Sequence, residues 1–162
     1  MSDVAKLVAS LESGDAAQRQ SAAEELSRLG SDARPAAVAL VAACGDEQTR
    51  EPAVAALEDL GPPSSSDVAT LASLLARPSL EVAYWAATLL GRAEAAAAPA
   101  VPALITALEK HPAMAVRQRA AWALGKIGRP ATTARAALDA AASNSDARLA
   151  SLARDALSAL DC

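Results

Sequence analysis

Apolar and polar residues alternate along this chain with the period of an α-helix. The clearest stretch covers residues 117–128, where apolar side chains lie three or four positions apart: Ala120, Ala121, Leu124 and Ile127. Side chains with that spacing form one stripe on a helix, and the polar residues between them face away from it. The pattern therefore predicts an amphipathic helix with one buried face.

The same twelve-residue pattern, called a frame below, returns at nearly constant spacing. It begins at residues 19, 50, 83, 117 and 150, in steps of 31, 33, 34 and 33 residues. Before each frame lies a second apolar stripe, which fades in two copies to Val38, Ala39 and Ala42 and to Leu138 and Ala142. One such helix pair cannot bury its own apolar face, whereas stacked pairs can. We therefore predict an all-α fold, an α-solenoid of about five helix–turn–helix repeats.

Capping residues support these helix boundaries. Four frames have a short polar side chain four positions upstream: Asp15, Asp46, Ser79 and Asp146. Such a side chain accepts hydrogen bonds from the first turn of the following helix. Three frames end in a glycine that allows a left-handed stop: Gly30, Gly61 and Gly128. Since the repeats fill the chain, we predict one domain, residues 1–162, with repeats at approximately 3–34, 35–63, 64–97, 98–130 and 131–162.

The spacing D-x-x-x-R-x-x-A-A-x-x-L-x-x-L-G, clearest in residues 15–30 and 46–61, resembles the HEAT family. The similarity is to the short HEAT-like units named for phycobilisome lyases, and it covers nearly the whole chain. It implies a right-handed superhelix whose second helices line a concave face that holds protein partners. It also implies a ladder of Asp and Arg residues from successive units, for which Asp15, Arg19, Asp46 and Arg50 are candidates. Ser79, Ala83, Ala113 and Ala150 interrupt that ladder.

The few aromatic residues fall on one side of the second helices. At 100° per residue the apolar positions of a frame point toward about 310°, so its second, sixth and tenth residues face the opposite side. All aromatic residues of the chain lie on or beside that side, together with three basic residues: Tyr84, Trp85, Trp122, Arg92, Arg119 and Lys126. Aromatic residues and arginine dominate binding hot spots. We therefore predict that these six residues form a protein-binding surface.

Two parts of this prediction have alternatives. Trp85 lies on the flank of the face, at about 200°, and it could instead fill a gap between alanine-rich helices. Leu149 and Leu152 flank the last apolar stripe, and no polar capping unit follows them. They form a predicted secondary interface, with a homodimer through the C-terminal repeat as one outcome. The alternative is that the first helix of the same repeat covers both leucines.

Charge narrows the range of partners. The net charge is −4, and residues 1–80 hold 6 basic and 12 acidic side chains against 9 and 7 in residues 81–162. An acidic chain is not typical of nucleic-acid binding, which remains an alternative only through the basic second half. No apolar run is long enough for a membrane span, and the first residues do not resemble a signal peptide. Two distant cysteines, Cys44 and Cys162, make no disulfide framework, so we expect a cytoplasmic protein.

Little in the sequence indicates catalysis. The single histidine, His111, lies beside Pro112, and one histidine makes no metal cluster. No nucleophile with a nearby base and no glycine-rich phosphate loop is recognisable. We therefore predict no catalytic residues, no metal and no cofactor, and a non-catalytic scaffold or adaptor for another protein. A bilin-lyase-like or chaperone-type accessory factor is the alternative, and it rests on the resemblance alone.

Overall fold

The computed structural model describes residues 3–162, so the first two residues of the predicted domain lie outside it. Within this range ten α-helices and four 3-10 segments form the fold, and no strand occurs. The helices pair into five repeats: α1 (Asp3–Ser13) with α2 (Ala16–Arg28), α3 (Ala37–Ala43) with α4 (Glu47–Asp59), α5 (Val68–Leu74) with α6 (Leu80–Arg92), α7 (Val101–Lys110) with α8 (Met114–Ile127), and α9 (Arg135–Ala142) with α10 (Ala147–Leu160). The predicted all-α solenoid of five helix pairs is confirmed.

The connections into the first helices are 3-10 turns. Segments Gly30–Ala36, Glu94–Ala100 and Arg129–Ala134 lead into α3, α7 and α9, and the shorter Ser65–Asp67 leads into α5. Pro35 and Pro99 lie inside two of these segments, just before α3 and α7. A proline is tolerated there because early residues of a helix have no intrahelical partner for their N–H groups.

The capping residues behave as the sequence predicts. Asp15, Asp46, Ser79 and Asp146 all accept a hydrogen bond from a backbone N–H in the first turn of the following helix. At Asp15 the capping is reciprocal, because the Gln18 side chain accepts from the Asp15 N–H at 2.9 Å. Gly30, Gly61 and Gly128 have φ values of 53°, 76° and 70°, the left-handed region that favours glycine.

The described chain divides into two compact units. The first ends at Asp67 and contains α1 to α4, and the second, Val68–Cys162, contains α5 to α10. In the first unit α2 packs against α4. The Arg19 side chain donates to the Asp46 carboxylate at 3.0 Å, one rung of the expected ladder.

The second unit has two layers. α8 packs between α6 and α10, while α5, α7 and α9 pack on them from the other side. Gly125 of α8 brings two backbones close together, since a Cβ added there would lie 3.0 Å from the Ala156 Cα of α10. Fully buried leucines from both layers form the core: Leu89, Leu90, Leu104, Leu124, Leu138 and Leu149. The layering leaves the outer side of α6, α8 and α10 as one continuous face.

Two details of the apolar pattern differ from expectation. Of the predicted stripe in α3, Ala39 is buried whereas Val38 and Ala42 are not, and the buried face is completed by Ala37, Leu40, Val41 and Cys44. Alanine is only weakly apolar, so the sequence pattern does not determine which face of this short helix is buried. Leu29 is 37% exposed because it is the C-terminal capping residue of α2, where the helix no longer packs.

Candidate functional site

Trp122 is at the centre of the outer face of the second unit. It lies midway along α8 and is half-buried. Its indole packs over Gly91 of α6, where an added Cβ would lie 2.9 Å from Cε3 and closer still to Cζ3. Because Gly91 has no side chain, the ring settles against the neighbouring helix while part of it stays accessible. The sequence predicted the direction of this ring but not the glycine under it.

Arg119 lies between two aromatic rings. Its Cζ is 4.5 Å from the centroid of the Tyr84 ring and 4.9 Å from that of the Trp122 ring. The guanidinium also donates a hydrogen bond to the Tyr84 hydroxyl. Both rings attract the cation through their π-faces, and the hydrogen bond fixes its orientation. Three residues that the sequence singled out are therefore in direct contact, and they join α6 to α8.

Trp85 occupies a different environment. It is only 9% exposed, and its ring meets the edge of Tyr84 with centroids 6.1 Å apart at 84°. The Arg92 guanidinium lies 5.7 Å from the Trp85 ring centroid. The structure therefore places Trp85 in the core, the gap-filling role that the sequence left open. Arg92 accompanies it, so these two predicted site residues belong to the packing beside the Arg119 cluster.

A pocket of about 230 Å³ opens next to Arg119. It is lined by residues of three helices: Tyr84 of α6, Ala115, Gln118, Arg119 and Trp122 of α8, and Arg148 and Leu152 of α10. Gln118 is already engaged, because its amide donates to the Asp146 carboxylate at 2.9 Å. The pocket therefore offers two cationic side chains, an aromatic wall and a small apolar surface.

A second pocket of about 200 Å³ lies on the other side of Trp122, between α8 and α10. Lys126 and Asp155 contribute opposite charges to its lining, and Gly125, Ala156 and Leu152 make its wall. Trp122 and Leu152 line both pockets, so they form the ridge between them. The surface is thus an aromatic ridge with a cationic pocket on one side and a mixed-charge pocket on the other.

Three basic residues around Trp122, namely Arg119, Arg148 and Lys126, have no carboxylate of residues 3–162 within ion-pair distance. Among residues 3–162, Arg19 and Arg135 form ion pairs with Asp46 and Asp161, whereas none is formed by Arg119, Arg148 or Lys126. Arg148 acts on Asp146 only at longer range. The pKa of Asp146 is lowered mainly by the hydrogen bond from the Leu149 N–H and then by the Gln118 amide. The cationic character of the first pocket is therefore not neutralised by contacts within the described chain.

The predicted secondary interface needs a correction. Leu149 is 0% exposed, so the expectation that it lies uncovered was wrong. It is one residue before the frame of the fifth repeat, at about 260°, which turns it toward the core direction. Leu152 is half-buried and lines the two pockets described above, so it belongs to the Trp122 face. The homodimer expected through this repeat loses one of the two leucines on which it rested.

His111 bridges two backbone segments. It is 9% exposed at the end of α7, where its Nδ1 accepts a hydrogen bond from the Ala113 N–H at 3.1 Å. Its Nε2 is 3.4 Å from the Arg77 carbonyl oxygen. The ring therefore links the turn before α8 to the turn between α5 and α6. It also borders a largely apolar cavity of about 370 Å³ between α5 and α7, in the layer opposite Trp122.

Sequence reasoning missed Arg148, Gln118 and Gly91 as parts of this surface. Arg148 precedes its frame by two residues, and at 100° per residue it points to about 160°, the side on which Trp122 lies. Gly91 and Gly125 occupy the same frame position in successive repeats, in mid-helix, where glycine is unfavourable. That coincidence was an available signal for close contacts on this face.

Residues 68–158 match the sequence profile of the HEAT repeats family. An engineered protein solved by the Northeast Structural Genomics Consortium is similar, with a TM-score of 0.67, 23% identity, and coverage of 99% of this chain and 80% of that one. A second engineered protein from the same consortium gives a TM-score of 0.63 at 21% identity, covering 98% of this chain and 48% of its own. These likenesses concern the fold alone. None of the curated proteins matches this chain in sequence.

Two further findings concern residues 3–162 only. No helix in this range is long and apolar enough to cross a membrane. No three His, Cys, Asp or Glu side chains within it are grouped so that they could hold a metal ion.

Proposed function

The chain belongs to the HEAT-repeat family, and we propose that it is a non-catalytic protein-binding module. The proposed binding surface is the outer face of α6, α8 and α10, centred on Trp122. A helical repeat scaffold is well suited to this role, because each repeat adds surface without changing the packing of the others. A cytoplasmic location, expected from cysteine usage, is part of the same proposal.

The observation that carries this proposal is the position of Arg119 between Tyr84 and Trp122. An aromatic–arginine–aromatic arrangement at a surface is held rigidly by its own contacts, so a partner would lose little side-chain entropy in meeting it. The two pockets beside Trp122 give the partner concave sites in which to place side chains. Tryptophan, tyrosine and arginine are also the residues most enriched at interface hot spots.

His111 supports the non-catalytic part of the proposal. It is the single histidine of the sequence, and its ring nitrogens face backbone groups of two turns, Ala113 before α8 and Arg77 between α5 and α6. Its chemistry is therefore used in holding these turns. The accessory-factor and nucleic-acid alternatives stay predictions from the sequence, since no contact described above favours either.

Affinity capture from the native cell tests the proposal. The full chain is used as bait together with Trp122→Ala and two variants that reverse one charge each. Lys126→Glu changes the Trp122 face, and Lys110→Glu changes an exposed residue at the end of α7 in the opposite layer. We expect Lys126→Glu and Trp122→Ala to release the captured protein and Lys110→Glu to retain it. Equal capture by all of them would contradict the proposal.

A further inference from the structure

We infer that the pocket beside Arg119 receives the side-chain carboxylate of an acidic segment of the partner protein. This inference rests on the proposed function, because it specifies what the Trp122 face binds. It places the carboxylate between Arg119 and Arg148, with Trp122 and Leu152 as the wall against which the rest of the segment packs.

The contacts of Arg119 leave the edge of its guanidinium as the part that a ligand can bind. Aromatic rings lie over the guanidinium on the sides of Tyr84 and Trp122, and the Tyr84 hydroxyl takes one of its N–H donors. A guanidinium has five donors in one plane, so four remain along its edge for a ligand. An edge of parallel N–H groups matches the two oxygens of a carboxylate. A carboxylate can therefore dock without disturbing the aromatic contacts.

Charge complementarity supports the same occupant. Residues 68–162 carry ten Lys and Arg against seven Asp and Glu, whereas the whole chain is acidic. Arg119 and Arg148 line one pocket and form no ion pair with any carboxylate of residues 3–162. Two cations that form no ion pair and border a partly enclosed site attract an anion more strongly than they would in open solvent, because water screens them less.

The second pocket is a poor choice for the same ligand. Lys126 is there, but Asp155 lines the same wall and would repel an incoming carboxylate. The inference therefore distinguishes the two pockets. Loss of Arg148 should weaken binding of an acidic segment strongly, and loss of Lys126 should weaken it less.

Isothermal titration calorimetry of the full chain tests this. The probe is a short peptide of alternating Glu and Ser with both ends capped, and the matched peptide has Gln in place of Glu. We expect the Glu peptide to bind and the Gln peptide not to. Arg148→Ala and Arg119→Lys should each weaken binding about tenfold or more, the latter because lysine keeps the charge but loses the planar fork.

The control is Arg154→Ala, which removes one charge from the same helix. Arg154 is exposed and donates to the Ala142 carbonyl, away from the pocket. We expect Arg154→Ala to change the affinity for the Glu peptide by about twofold or less, as is typical of a charge at the rim of an interface. Equal binding of the Gln peptide, no effect of Arg148→Ala, or tighter binding of a capped oligothymidine than of the Glu peptide would overturn the inference.

Failure of this inference is separable from failure of the proposed function. If the Glu peptide does not bind while Trp122→Ala still releases the captured partner, the binding surface stands and the carboxylate assignment is overturned. If Trp122→Ala retains the partner, the surface itself is wrong.

Discussion

Gly91 of α6 lies directly beneath the indole of Trp122 on α8, too close for any side chain to be placed between them. The contact couples two repeats and sets the height of the aromatic ridge. It also explains how a large ring can be anchored by the fold and still be offered to a partner.

Gly91→Ala should move the ring without unfolding the protein. Alanine favours the helix over glycine by about 1 kcal/mol, which offsets part of the clash with the indole. Since Trp122 is half-buried, the ring can rotate away. We expect an unfolding free energy within about 1 kcal/mol of wild type and a red shift of tryptophan emission. Urea unfolding and fluorescence measure these two quantities.

Gly125→Ala is the contrasting variant. Its new Cβ meets the backbone of Ala156, which cannot rotate away as a side chain can. We expect a loss of about 1–3 kcal/mol, the range seen for overpacked cores. Similar stability of the two alanine variants would contradict this difference.

The two tryptophans should differ in their contribution to stability. Trp85→Ala removes a ring that is 9% exposed, and about 3–5 kcal/mol of unfolding free energy should be lost. Trp122→Ala removes a half-buried ring and should cost about 1–2 kcal/mol. Chemical denaturation of both variants gives the comparison. Equal losses would mean that Trp122 is a core residue and would argue against its role at the surface.

The last repeat offers a similar pair. Leu149→Ala should cost about 2–5 kcal/mol because the side chain is fully buried. Leu152→Ala should cost less, about 1 kcal/mol, since the side chain is half-buried and lines the pocket. Thermal unfolding orders the two variants. A larger cost at Leu152 would contradict the burial described for this helix.

Asp146 should make part of the stability depend on pH. The Leu149 N–H and then the Gln118 amide hold the pKa of its carboxyl below the ordinary value. A lowered folded-state pKa stabilises the fold above the ordinary pKa, and this stabilisation is lost as the pH falls through the lowered value. Asp146→Asn keeps an oxygen for both hydrogen bonds but does not titrate, and asparagine is an equally good N-cap.

We therefore expect the urea midpoint of Asp146→Asn to fall less than that of wild type between about pH 7 and about pH 3. The matched control is Asp139→Asn on α9, which removes an exposed carboxylate outside the caps and should follow wild type. Parallel decreases for wild type and Asp146→Asn would contradict this account of the cap.

Much of the fold was predictable because each repeat carries the same local signals. The caps at Asp15 and Asp146 and the stop at Gly128 are decided by residues within one turn. Helical periodicity likewise gave the outward direction of Trp122. It placed Trp85 on the flank but could not decide whether that ring is buried, because burial on the flank of a helix depends on which side chains neighbouring helices contribute.

The details of the site were less accessible for the same reason. Arg119 meets Tyr84 across 35 positions of sequence, and Arg148 joins them from a third helix. No local rule pairs residues at such separations. Leu149 shows a different limit: its helical angle of about 260° already turns it toward the core, and the capping argument that predicted an uncovered leucine does not take this direction into account.

The central claim is that Trp122 meets a partner while Trp85 remains in the core. Fluorine NMR of the full chain labelled with fluorotryptophan tests it directly, since the sequence has only these two tryptophans. A Trp85→Phe variant assigns the two resonances. On addition of the captured, unlabelled partner protein, we predict that the Trp122 resonance shifts and that the Trp85 resonance stays in place. An unchanged Trp122 resonance at saturating partner would contradict the claim.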